Sequence, residues 1–133
     1  MHALLLIAHG SRREASNQEV RELAERLAQL AAQRFDCVVP AFLELAEPSI
    51  QAGVDICAEA GATRVTVVPY FLSAGRHVAS DIPTELGKAA RKHRGLTIYQ
   101  CDYLRKHSSI PQLLLALGLD AQDNPVQKPQ PLN

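Results

Sequence analysis

The segment that most limits how this chain can fold is Val65–Pro83, VTVVPYFLSAGRHVASDIP. It opens with a β-branched run, Val65 to Val68, which suits a strand buried on both faces. The run breaks at Pro69 and passes through a loop of small residues, Ser73-Ala74-Gly75. Apolar residues then recur at helical spacing (Val78, Ile82, Leu86, Ala89, Ala90), and His77 stands where that pattern begins. The segment therefore reads as strand, loop and helix, with a histidine at the loop–helix junction. In open α/β sheets the carboxyl ends of the strands form the edge where ligands bind, which makes His77 a candidate site residue.

The same alternation runs through the rest of the chain. Ala3–Ala8 (ALLLIA) is a short apolar strand that stops at His9-Gly10-Ser11. Val20, Leu23, Ala24, Leu27, Leu30 and Ala31 then mark one face of a helix, with Ser11 or Ser16 as its cap. Cys37–Leu43 (CVVPAFL) is a second strand, placed at a sheet edge because Pro40 has no N–H for a central ladder. It ends at Glu44. Pro48 is expected in the first turn of a second helix, whose buried stripe is Ile50, Val54, Cys57 and Ala58 and which Gly61 stops. The helix after His77 closes near Gly95, Leu96–Gln100 is a fourth strand, and Ile110, Leu113, Leu114 and Leu117 mark a last helix ending at Gly118.

The order βαβαβαβα implies an α/β three-layer sandwich: a four-stranded parallel sheet with helices on both faces. At 133 residues one domain is expected, assigned to residues 1–118. Residues 119–133 show no periodicity, carry Pro125, Pro129 and Pro131, and read as a disordered tail. Acidic and basic residues balance at 14 each, so neither nucleic acid nor an anionic membrane is an expected partner. The basic cluster Arg91-Lys92-His93-Arg94 reads as a solvated helix end. The apolar start is too short for a signal peptide and no run reaches transmembrane length. Three widely spaced cysteines, Cys37, Cys57 and Cys101, read as buried free thiols in a reducing cytoplasm.

His9, Glu44 and His77 follow three successive parallel strands and so can converge at one edge. Two imidazoles and a carboxylate suit a first-row metal with positions left open for a substrate, and they can also take protons near neutral pH. Singly, each is more often a polar boundary residue. Together, with small residues beside both histidines, they read as a site.

AHGSRREASN, FLELAEPSI and VPYFLSAGRHVASDIP, after the first, second and third strands, resemble the small class II chelatases. These are the sirohydrochlorin cobalt- and ferrochelatases of cobalamin and sirohaem synthesis. The resemblance covers about Leu4 to Gly87 and is most specific at G-x-H-V-x-x-D-I-P. From Gly95 onward it weakens: the family usually has a proline- and glycine-containing loop after the fourth strand, where this chain reads CDYLRKHSSIP. The resemblance implies a chelatase-like fold, one half of a flavodoxin-like pair of units, and insertion of Co2+ or Fe2+ into sirohydrochlorin or a related tetrapyrrole. It implies His9 as proton acceptor and metal contact, His77 as second metal histidine, and Glu44 as a further ligand. Leu72, Ser73, Ala74, Gly75 and Arg76 would line the tetrapyrrole. It implies no organic cofactor, a divalent metal (Co2+, Fe2+ or Ni2+) as substrate, and a homodimer that completes the cleft.

The chemistry points the same way. Metal insertion displaces two pyrrole protons, so the site needs neutral bases that also release a metal, and imidazole is both. Arg12, Arg13 and Arg76 could meet the substrate's carboxylates. Histidine phosphatases also have a histidine and glycine after the first strand, but they place arginine before that histidine, where this chain has Ala8. Two alternatives stay open: a flavodoxin-like module binding phosphate through Ser11, Ser16 and helix N-termini, and a non-catalytic metal carrier.

Overall fold

The computed structural model describes residues 1–132. Strand β1 spans His2–Ala8, β2 Cys37–Phe42, β3 Arg64–Pro69 and β4 Thr97–Gln100. Helix α1 spans Glu14–Ala31, α2 Ile50–Glu59, α3 Arg76–Lys92 and α4 Ile110–Asp120. All strand pairs are parallel, in the order β2-β1-β3-β4. β2 is an edge strand, so Pro40 sits where a missing N–H is tolerated. β1 is central and nearly all of it is buried, as its unbroken apolar run requires.

Alternate residues of β1 feed two cores. Ala3, Leu5 and Ile7 pack with Ile50, Val54 and Cys57 of α2 and with Ile82, Leu86 and Ala89 of α3. Leu4, Leu6 and Ala8 pack with Val20 and Ala24 of α1 and with Phe42. The expected three layers are present, with α1 on one face and α2 and α3 on the other. At Gly53 a Cβ would come within 2.9 Å of Leu5 and Ala41, so glycine lets α2 lie close on the sheet.

Several local expectations change. Arg13, not a serine, occupies the N-cap of α1, because Ser11 is folded into the preceding loop. Pro48 lies before α2, joined to Glu47 by a cis peptide, and Ser49 caps the helix by accepting from Ala52 N–H at 3.2 Å. β3 continues through Pro69, and its alternation leaves Thr66 and Val68 half-buried, not buried on both faces. Ala90 is exposed, outside the stripe of α3. Lys92 and His93 are not simply solvated: both bind Asp55 of α2, at 2.9 and 2.6 Å. Of the cysteines only Cys57 is buried; Cys37 is half-buried and Cys101 exposed.

The largest departure is α4. It runs two residues past Gly118, and a 3-10 turn follows at Ala121–Asp123. Its leucines do not enter either core: Leu113, Leu114, Leu115, Leu117 and Leu119 are all exposed.

Candidate functional site

β1 leads to β2 on one side and β3 lies on its other side, so the chain direction reverses between the carboxyl ends of β1 and β3. That switch point opens a crevice at the sheet edge. His9 follows β1 directly, and His77 is the second residue of α3, reached from β3 through the Tyr70–Gly75 loop.

The β1 and β2 loops meet very closely. Leu43 N–H donates to the Ala8 carbonyl at 2.9 Å, and Glu44 N–H to the His9 carbonyl at 3.0 Å, prolonging the ladder past the strands. Gly10 has φ +92°, and a Cβ there would lie 1.7 Å from the Glu44 carbonyl oxygen. Only glycine permits this approach. It sets His9 beside Glu44, with His9 Nε2 3.0 Å from Glu44 Oε1 and both side chains about half exposed. Leu45, next in the chain, is held at φ +65°, an unfavourable conformation for a bulky residue and one that clusters at binding sites.

Buried Asn17 anchors the loop after His9. Its Oδ1 accepts from Ser11 N–H at 2.9 Å, while Nδ2 donates to the Ser11 carbonyl at 2.8 Å and to Glu14 Oε2 at 3.1 Å. The Ser11 hydroxyl accepts from Arg13 N–H at 3.0 Å. The Ser11 amide and hydroxyl are thus engaged within the chain, which disfavours Ser11 as a phosphate-binding group.

His9, Glu44 and His77 line one open pocket of about 400 Å3, with Leu43 and Val78 as its apolar part. The expected trio therefore shares one cavity. Only His9 and Glu44 are in direct contact; among the described residues no three His, Cys, Asp or Glu side chains form a preassembled metal cage. The expected tetrapyrrole residues lie elsewhere: Leu72–Gly75 form the exposed-to-half-buried loop before α3, and Arg76 starts that helix. Arg12 and Arg13 are exposed beyond His9.

Asp81 and Glu85 also line the pocket and have no assigned role in the sequence reading. Their signal was the spacing His77, Asp81, Glu85, which stacks three side chains along one helix face. A hydrogen bond from the Gln51 amide holds the Glu85 carboxyl below its usual range, and Lys88 adds to the effect. A carboxylate thus stays charged there. Phe71 stands edge-on to His9, ring centroids 6.3 Å apart, and Tyr103 edge-on to Phe71 at 6.4 Å. No periodicity could have announced that aromatic row, since it joins two irregular segments.

The CbiX family model matches residues 3–118. The chain belongs to the CbiX family. The match runs through the CDYLRKHSSIP segment, beyond the reach of the motif resemblance. Sirohydrochlorin cobaltochelatase of Methanopyrus kandleri is 41% identical over 87 residues, which are 65% of this chain and 59% of that protein. Chloroplastic sirohydrochlorin ferrochelatase of Arabidopsis thaliana is 38% identical over 94 residues, 71% of this chain and 41% of that protein. The chain thus spans about half the length of these curated relatives. The CbiX protein from Marinobacter aquaeolei VT8 superposes with a TM-score of 0.72 at 32% identity, covering 92% of this chain and 96% of that one. The chelatase SirB of Bacillus subtilis subspecies spizizenii, solved with cobalt, superposes at 0.80 and 28% identity, covering 90% of this chain and 50% of that one.

Proposed function

We propose that this protein inserts Co2+ or Fe2+ into sirohydrochlorin, as a cytoplasmic homodimer. The names of its relatives support the reaction, and the observation that carries it here is the His9–Glu44 pair in one pocket with His77. An ionised carboxylate only accepts hydrogen bonds, so Glu44 draws the His9 hydrogen onto Nε2 and leaves the Nδ1 lone pair free as a base. Glu44 also stabilises the imidazolium formed when His9 takes a pyrrole proton.

Metal capture would use the same two atoms in a different proton state, with the His9 hydrogen moved from Nε2 to Nδ1 so that the Nε2 lone pair faces the ion. Two ligands about 2.1 Å from an ion and 3.0 Å apart subtend roughly 90° at it, the angle between adjacent ligands of an octahedral ion. His77, Asp81 and Glu85 then supply a polar wall from which the ion passes to the macrocycle. A loosely held ion is what transfer requires, and an open pair of ligands binds more loosely than a closed cage. Insertion forms the metal–nitrogen bonds and breaks two pyrrole N–H bonds; His9 takes one proton as the ion leaves it, and His77, in the same pocket, takes the other. In this reading the exposed Arg12, Arg13 and Arg76 meet the substrate's carboxylates, and Leu72–Gly75 pack on its ring. One α/β unit supplies only part of a cleft for a macrocycle, which supports a dimer.

The test is direct. Protein mixed with metal-free sirohydrochlorin and Co2+ or Fe2+ should speed the change in tetrapyrrole absorption over the protein-free rate. No acceleration with either ion would refute the assignment, and tight metal binding without acceleration would mark a carrier.

A further inference from the structure

Glu14, Asn17 and Arg21 lie along one side of α1 at helical spacing. One chain of hydrogen bonds runs through them. Asn17 holds Ser11 by its N–H and its carbonyl, and donates to Glu14 Oε2 at 3.1 Å. Glu14 Oε1 accepts from one terminal nitrogen of the Arg21 guanidinium, whose other terminal nitrogen donates to the Glu47 carbonyl at 3.3 Å. The guanidinium carbon also lies over the Phe42 ring, 5.3 Å from its centroid. Hydrogen bonds from Arg21 and then Asn17 hold the Glu14 carboxyl below its usual range, so the middle link stays charged.

The ends of that chain fall on the two loops that carry the His9–Glu44 pair. Ser11 is two residues past His9, and Glu47 three residues past Glu44. The loops therefore meet twice, directly at the Gly10 approach and again by way of α1. The second loop needs that support. Leu45 is held at φ +65°, and a bulky residue stays there only where contacts on both sides fix it. Upstream, Glu44 N–H bonds the His9 carbonyl; downstream, Phe42 N–H bonds the Pro48 carbonyl at 2.8 Å and Arg21 bonds Glu47. Ala46, between them, packs on the core beneath α1. An ion pair within one surface helix contributes little by itself, so the Glu14–Arg21 pair is explained by what it reaches outside the helix.

We propose that Arg21 is a positioning residue for the His9–Glu44 pair, bracing the Glu44 loop against the His9 loop through Glu14 and Asn17. The inference rests on the metal-capture reading above and names what keeps its two ligands 3.0 Å apart. Arginine suits this place and lysine does not. A planar fork bonds two acceptors at once while its face lies on Phe42, and an ammonium has neither the fork nor the face. Both terminal nitrogens of Arg21 are engaged within the chain, so it acts through Glu44 and is not a further cation for the substrate's carboxylates.

The experiment measures Co2+ affinity of the full chain by calorimetry, with thermal melts alongside. Arg21→Met keeps the apolar stem and removes the fork. Its dissociation constant should rise about 10-fold, the lower end of the cost of losing an outer partner of a metal ligand, and Arg21→Lys should give a smaller rise. Glu14→Ala cuts the tie at a side chain 71% exposed, so the fold is kept. It should weaken binding in the same direction, and it decides the matter if Arg21→Met does not fold. Arg21→Met combined with Glu44→Gln separates positioning from general support. No loss beyond that of Glu44→Gln alone is the expected result, because Arg21 then has no ligand left to position. Losses that add in full would make Arg21 a support of the fold and overturn the proposal. Native affinity in a folded Arg21→Met would overturn it too. If Glu44→Gln alone leaves Co2+ binding unchanged, the metal pair of the proposed function fails and the brace with it. If Glu44→Gln weakens binding while Arg21→Met and Glu14→Ala do not, only the brace fails.

Discussion

The His77 imidazole is exposed at the second position of α3, so its removal costs little packing. His77→Ala should therefore keep the fold and the tetrapyrrole affinity while lowering the insertion rate by at least ~10²-fold, the usual effect of losing one acid–base group. Steady-state insertion assays beside a thermal melt would check this; an unfolded variant or an unchanged rate would make His77 structural. Gly10 offers the complementary test. Gly10→Ala puts a methyl 1.7 Å from the Glu44 carbonyl and a non-glycine residue at φ +92°. It should lower stability by about 1–3 kcal/mol and part His9 from Glu44, seen as a drop in both denaturation midpoint and metal affinity. The sequence placed His9, Glu44 and His77 because strand ends can be read from apolar runs. It did not assign roles to Asp81, Glu85 or Asn17, since these depend on which helix face turns toward the crevice.

Between elements, the pairing of α2 with α3 carries a pH signature. Hydrogen bonds from His93 and then Lys92 lower the Asp55 carboxyl below its ordinary value of 3.8. A depressed carboxylate stabilises the fold above its unfolded value, and that stability is lost as pH falls through the folded value. Acid denaturation should thus draw on Asp55 below about pH 4, and His93→Ala should move the acid midpoint upward in a fluorescence or circular dichroism titration. Strand β3 provides the contrast. Val67 is fully buried among α2 and α3 residues, so Val67→Ala should cost roughly 1–3 kcal/mol and leave activity per folded molecule nearly unchanged. The Asp55 contacts lay outside the sequence reading because an exposed basic cluster has the same composition whether or not a neighbouring helix answers it.

For the molecule as a whole, everything up to β4 behaves as one packed unit, while α4 has leucines and no core of its own. We propose that the proline-containing end beyond it remains disordered. Limited proteolysis should then cut first after Asp123, and a chain lacking the residues after that point should keep its melting temperature and insertion rate. An early cut inside α1, α2 or α3 would contradict this.

What the sequence determined by itself was the alternation of strands and helices, the edge position of the Pro40 strand and the three polar residues at strand ends. Each follows from local chemistry: a period of two or 3.6, a missing N–H, an apolar run that stops. Only the tertiary structure decided that His9 and Glu44 touch, because their meeting depends on the backbone approach at Gly10 between loops 34 residues apart. Only it decided the fate of α4. A stripe of leucines specifies that a helix must be covered, but not by which surface, since apolar burial has no direction.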